Sequence, residues 1–133
     1  MNFEASYVPA TYDAGVWGSE IRPVATWTHD RFEIAINPIV TFSWTGRDAG
    51  VPHFEPAAAV TYAFDRVLSL GLEYYGAVGA LDNVPPVAQQ SHYLFEVVEV
   101  LGVRGWEIQF GIGEGLTPAS NTVVFKSIIG HTF

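Results

Sequence analysis

The chain has 133 residues, enough for one domain, and a net charge of −8 that excludes the basic face a nucleic-acid partner needs. Charged residues make up only 15%, against about 25% in a typical soluble domain, while apolar residues reach 49% and aromatics 14%. There is no cysteine, hence no disulfide framework and no cysteine-ligated metal, and no run of about 18 apolar residues that would span a membrane as a helix.

The recurring pattern along the chain is alternation with a period of two, which predicts strands. Eight are expected, over about 2–8, 17–28, 32–44, 54–64, 67–79, 92–102, 106–116 and 122–133. The third is the clearest: Phe32, Ile34, Ile36, Pro38, Val40, Phe42 and Trp44 share one face, and Glu33, Ala35, Asn37, Ile39, Thr41 and Ser43 the other. In the fourth, Phe54, Val60, Tyr62 and Phe64 oppose Glu55, Ala57, Ala59 and Thr61. In the fifth, Leu68, Leu70, Leu72 and Tyr74 oppose Ser69, Gly71, Glu73 and Tyr75. The sixth is the least regular, and its slip between Glu96 and Glu99 predicts a β-bulge. In the seventh, Trp106, Ile108, Phe110 and Ile112 oppose Glu107, Gln109, Gly111 and Gly113. The eighth places Val123, Phe125, Ser127, Ile129, His131 and Phe133 on one face.

Tight connections at 29–31, 65–66 and 103–105 alternate with longer ones at 9–16, 45–53, 80–91 and 117–121. An up-and-down meander then gathers the tight turns and both termini at one end and the long loops at the other. All five Asp residues fall in connections, where Asp is favoured.

Alternation alone does not say which face looks inward; side-chain size does. The polar faces combine Gly, Ala, Ser and Thr with single charges, whereas the apolar faces carry rings and branched chains. The inside of an eight-stranded barrel is narrow. Small residues inside and large ones outside is the arrangement that packs, and the apolar outside then needs lipid. Segment lengths of about 9–13 residues suit a tilted bilayer crossing. Trp17, Trp27, Trp44 and Trp106 sit near segment ends, where membrane-interface aromatics belong. The fold expected is an all-β, antiparallel, up-and-down transmembrane β-barrel, with eight strands in this chain, closing alone or belonging to a larger barrel. The whole of 1–133 forms one domain.

The stretches "WGSEIRPV", "INPIV", "FEPAAAVTYAF", "LSLGLEYYG", "QQSHYLFEVV" and "GIGEGLTPASNTVVFKSIIGHTF" together resemble the C-terminal portion of the outer-membrane β-barrel family of the MetA pathway of phenol degradation. "LGLEYYG" and "GLTPAS" are its most specific elements. Members of that family are longer, begin with a signal peptide and carry additional N-terminal strands. The resemblance therefore implies a bacterial outer-membrane location and a chain lacking those N-terminal parts. It also implies a channel or transporter for small hydrophobic or aromatic compounds. Phe133 with alternate apolar residues behind it resembles the C-terminal signal read by the outer-membrane assembly machinery.

The inward charges Glu20, Arg22, Glu33, Glu55, Glu73, Glu107 and Lys126 are the candidate site. They either line and gate a path or fill the interior as an ionic network. Paired carboxylates also occur in acid–base catalysis, but no nucleophile or cleft accompanies them, so no enzymatic activity is expected. The four His residues lack metal-ligand spacing, and Ser127 and His131 lie too far apart along a strand to form a pair. No metal, cofactor or nucleic acid is expected. The expected partners are the lipid bilayer, the assembly machinery and a small hydrophobic ligand. Two other readings fit the pattern: a structural outer-membrane barrel without transport, and a soluble lipid-binding β-barrel with its apolar groups inside.

Overall fold

The computed structural model describes residues 2–7, 17–46, 49–103 and 105–131, with side chains described except at 2–7 and 101–103. The expected loop at 9–16 and the terminal Phe133 lie outside the described residues. The architecture is all-β, an antiparallel up-and-down sheet that curls into a half-barrel. No α-helix occurs among the described residues; one short 3-10 turn covers Val87–Gln89.

In chain order the strands are β1 (Asn2–Tyr7), β2 (Trp17–Arg22), β3 (Ala25–His29), β4 (Phe32–Ser43), β5 (Pro52–Ala63), β6 (Leu68–Ala77), β7 (Gly79–Ala80), β8 (Ser91–Val103), β9 (Trp106–Gly115) and β10 (Val123–His131). The sheet runs β1-β2-β4-β5-β6-β8-β9-β10, with β3 on β4 and β7 on β5. These are the eight expected segments, two of them interrupted. Segment 17–28 breaks at Pro23, which lacks the N–H a ladder needs, and β3 resumes against β4. Segment 67–79 breaks at Val78, beside Gly79 at φ 94°.

The expected bulge between Glu96 and Glu99 is not there. β8 pairs without interruption from Ser91 to Val100 on β6 and from Tyr93 to Val100 on β9. The irregularity lies between Val100 and Val103, beside the turn. What breaks the alternation in the sequence is a pair of large residues on the inward side. Phe95 and Val97 are 7% and 4% exposed. They fit because glycines face them: Gly71 and Gly111 opposite Val97, and Gly113 opposite Phe95. A Cβ at Gly113 would sit 2.5 Å from the Phe95 ring.

The turns obey local chemistry. Asp30 takes a left-handed φ of 52° between β3 and β4, a conformation Asp tolerates. Between β5 and β6, the Asp65 carboxylate accepts from the Val67 and Leu68 N–H groups at 2.7 and 2.8 Å. Arg31 donates to the Phe64 carbonyl at 2.9 Å and so ties this turn to the previous one. The Val67 and Leu68 hydrogen bonds, with a smaller contribution from the Arg31 charge, hold the Asp65 carboxyl below the usual carboxylate range against slight desolvation.

A depressed folded pKa stabilises above the unfolded value, and the stabilisation is lost as pH falls through the folded one. The stability difference between the wild type and Asp65→Asn, measured by urea unfolding, is expected to shrink as pH drops below about 4. Gly113→Val should lower stability by about 1–3 kcal/mol through overpacking, and Phe95→Ala in the same chain should return part of it. An additive double-mutant cycle would show that the ring does not occupy the glycine's space.

Candidate functional site: the concave polar face

Strand register decides which residues share the concave side. Glu33, Thr61, Gly71, Val97, Gly111 and Lys126 lie in one row across β4, β5, β6, β8, β9 and β10. Ala59, Glu73, Phe95 and Gly113 form the next row. Ala57, Tyr75 and Tyr93 follow. The opposite parity puts Ile34, Val60, Leu70, Leu72, Val98, Phe110, Ile112 and Phe125 on the other side, all exposed, Phe125 at 77%.

The centre of the concave side is Glu73, 9% exposed. The Lys126 ammonium, three strands away on β10, is ion-paired to Glu73 Oε2. Tyr75 Oη donates to the same oxygen at 2.6 Å, and Gln109 Nε2 donates to Oε1 at 2.9 Å. Lys126 Nζ also donates to Tyr75 Oη at 3.2 Å and lies 5.2 and 5.3 Å from the Tyr75 and Phe95 ring centres. Those two rings meet edge to face at 5.6 Å. Both carboxylate oxygens are thus satisfied, as a buried charge requires. A contact spanning three strands needs side chains that converge, so the sheet curls toward this side.

The remaining sequence candidates distribute as follows. Glu20 and Arg22 on β2 pair with each other at 2.5 Å. Glu55 on β5 accepts from Thr41 Oγ1 at 3.4 Å. Glu33 on β4 and Glu107 on β9 stay out of the Glu73 cluster. Trp17 and Trp44 stand at the long-loop end, the Trp44 indole donating to Ser19 Oγ at 3.0 Å. Trp27 and Trp106 stand at the tight-turn end, stacked on His29 at 5.5 Å and edge-on to His131 at 4.7 Å. All four tryptophans are exposed.

Sequence reasoning missed two features. The first is the inward placement of Phe95; the glycines opposite it were the available signal. The second is a network that welds the loops after β7 and β9. Tyr74 Oη and His92 Nδ1 lie 2.7 Å apart, and His92 Nε2 meets Gln90 Oε1 at 3.0 Å. An amide oxygen only accepts, so Nε2 carries the hydrogen. In the neutral ring Nδ1 then accepts from the tyrosine. Ser120 Oγ bonds the His92 backbone N–H and carbonyl at 2.8 and 2.9 Å, and Thr117 Oγ1 donates to the Gln90 carbonyl at 2.6 Å. These partners lie up to 28 residues apart, and no local pattern announces them. Ser120 touches the His92 backbone and not its ring, so no nucleophile–base pair forms here.

Among the described residues no three His, Asp or Glu side chains converge as a metal site. The apolar side holds an open groove of about 900 Å³ whose lining includes Val60, Leu70, Leu72, Glu96, Val98, Phe110 and Phe125. No family model, no curated protein and no solved structure matches the chain.

Lys126→Met strands the Glu73 carboxylate and should lower unfolding stability by about 2–4 kcal/mol, whereas Lys126→Met with Glu73→Leu should recover most of that loss. Equal losses in the single and double variants would show that the ion pair does not organise this face.

Proposed function

We propose that the chain is a β-barrel protein of the bacterial outer membrane whose apolar face contacts lipid. Small hydrophobic or aromatic compounds pass along its polar side. The observation that carries the membrane reading is the inverted amphipathy of the sheet. Ser69 and Glu73 are buried on the concave side while Leu70, Leu72, Phe110 and Phe125 are exposed on the convex one. A water-soluble sheet of this curvature would bury the second set and expose the first. Tryptophans at both ends of the strands support the same reading, because indoles favour the headgroup level. Glu96 is a carboxylate in the middle of the apolar face; acidic groups there cost less than Lys or Arg.

The passage part of the proposal leans on the resemblance to the phenol-degradation barrels and on the polar lining of the concave side. One observation favours a second reading, a structural barrel without transport. The Glu73, Tyr75, Gln109 and Lys126 cluster bridges the concave side and fills part of it.

Nitroxide labels at Ile34→Cys and Leu70→Cys in reconstituted protein should collide with dissolved oxygen, as lipid-facing sites do. A label at Glu73→Cys should stay shielded from acyl chains. The reverse result would turn the sheet inside out and end the membrane reading. Liposome flux of phenol-sized solutes separates the two readings. Flux above protein-free vesicles supports passage; its absence leaves the structural barrel.

A further inference from the structure

The pairing of β4 with the strands before it stops in mid-course. Val40 pairs with Ile21 of β2 and Ile36 with Ala25 of β3, and among the described residues no pairing joins 22–24 to 37–39. The register is the same on both sides of the gap, so Pro23 falls opposite Pro38. The Trp44 N–H donates to the Trp17 carbonyl at 2.7 Å, which puts the hydrogen bonds of this ladder on the even positions of β4. Pro38 opposite Pro23 is therefore a place for two hydrogen bonds, and neither residue has an N–H to give. Both carbonyls lose their ladder donor, and ring carbons stand where hydrogens belong.

The defect continues along the same row. Pro38 pairs with Pro56 on β5, and the β5–β6 ladder ends at Ala57 and Tyr75, just before Pro56 would meet Gly76. A Cβ at Gly76 would sit 3.3 Å from the Pro56 ring. The Val78 N–H donates to the Phe54 carbonyl at 3.0 Å, so Pro56 opposite Gly76 is again a hydrogen-bonded position, and the Gly76 carbonyl loses its donor too. Proline belongs at sheet edges, strand starts and bulges. Here Pro38 stands in the middle of a twelve-residue strand with partners on both sides.

The side chains at the gap add to the shortage of donors. Asn37, next to Pro38 and in the row of Ala57 and Tyr75, keeps its Oδ1 buried without a donor. Ile39, on the other flank of Pro38, is 8% exposed on the same concave side. Pro38 and Ile36 are exposed on the convex side. In hydrocarbon, backbone without partners is tolerated only where it is buried in protein or lines a wet cavity. A sealed wall at mid-strand would leave the Pro23 and Pro38 carbonyls bare, whereas an opening that admits water from the concave side satisfies them. From Ile36 to Val40 the gap spans about 13 Å of strand, and the ladders at its two ends keep it a slit.

We infer that this proline seam is a lateral opening in the wall, through which small apolar solutes exchange between the concave side and the surrounding lipid. It deepens the passage reading by giving it a route, and it rests on the membrane reading for the lipid outside.

The test uses the full chain in phosphatidylcholine vesicles with trifluoromethyl-phenyldiazirine, a small apolar photolabel that dissolves in the bilayer, and maps insertion by mass spectrometry. The label should insert at Ile39 on the concave side as well as at Leu70 and Phe110 on the convex one. Pro23→Val with Pro38→Val supplies the two missing N–H groups. Labelling at Ile39 should then fall at least about fivefold, with Leu70 and Phe110 unchanged. A second variant leaves the prolines in place. Val24 falls opposite Asn37 in the same register, at a closely spaced position without mutual hydrogen bonds, and the chain has no cysteine of its own. Val24→Cys with Asn37→Cys straps the slit when oxidised and frees it when reduced, and labelling at Ile39 should follow. Equal labelling of Ile39 in the wild type, the valine variant and the strapped protein overturns the inference. So does wild-type labelling confined to the convex side, which leaves the prolines as a bend in the sheet. No labelling of Leu70 and Phe110 ends the membrane reading and this inference with it. Ile39 labelled as expected, with no liposome flux above protein-free vesicles, sustains the opening and ends the passage reading.

Discussion

Everything on the concave side answers to one constraint, the lack of room inside a tightly curled sheet. Gly71, Gly111 and Gly113 form a patch without side chains on β6 and β9, and that patch admits Val97 and Phe95 from β8 between them. Phe95 in turn supplies an edge for Tyr75 and a face for the Lys126 ammonium. Without the glycines the ring has no place, and without the ring Lys126 loses one wall of its cradle. The interior therefore behaves as one packed unit, in which a charge, two rings and three absent side chains fix one another.

That unit explains how a polar interior can be stable. An isolated buried carboxylate is costly, but Glu73 accepts from Tyr75, Gln109 and Lys126, which belong to β6, β9 and β10. The cluster thus joins β6, β9 and β10 across the concave side in addition to the backbone ladders, and the Phe95 ring brings in β8 between them. The long-loop end has its own fastening, since Ser120 and Thr117 bond the backbone of His92 and Gln90. The first fastening lies at the centre of the concave side and the second at the long-loop end of the strands. Among the described residues, neither fastening covers the apolar face, whose large side chains stay exposed.

The strand count and the sidedness of the faces were legible because period-two alternation is a local signal. β4 shows it over twelve residues, and its partner β5 repeats it at matched length. Tight turns were legible for the same reason: Asp30 and Asp65 do in the structure what Asp does in short peptides. Inward Phe95 was not legible, because its fit depends on Gly113 eighteen positions later in the chain. A strand-local reading converts such a residue into a bulge. The interruption at Pro23 was readable in principle, since proline cannot donate to a ladder, yet the alternation around it masks the break. Among the seven charged candidates, residue type placed each on the polar face. Which of them meet is set by sheet curvature, which no residue type encodes. Lys126 and Glu73 are fifty-three positions apart and meet only because the sheet bends.

Curvature also sets a requirement on the two ends of the sheet. The pairing path begins at β1 and stops at β10, and among the described residues no ladder joins them. In water, the free edges of β1 and β10 are hydrated and cost little. In hydrocarbon they are not, because each unpaired N–H and C=O there costs several kcal/mol. The inverted faces and the edges therefore make one demand together. A sheet that presents Leu70, Phe110 and Phe125 to lipid must also have its last strand paired along Val123–His131, whether by β1 or by further strands.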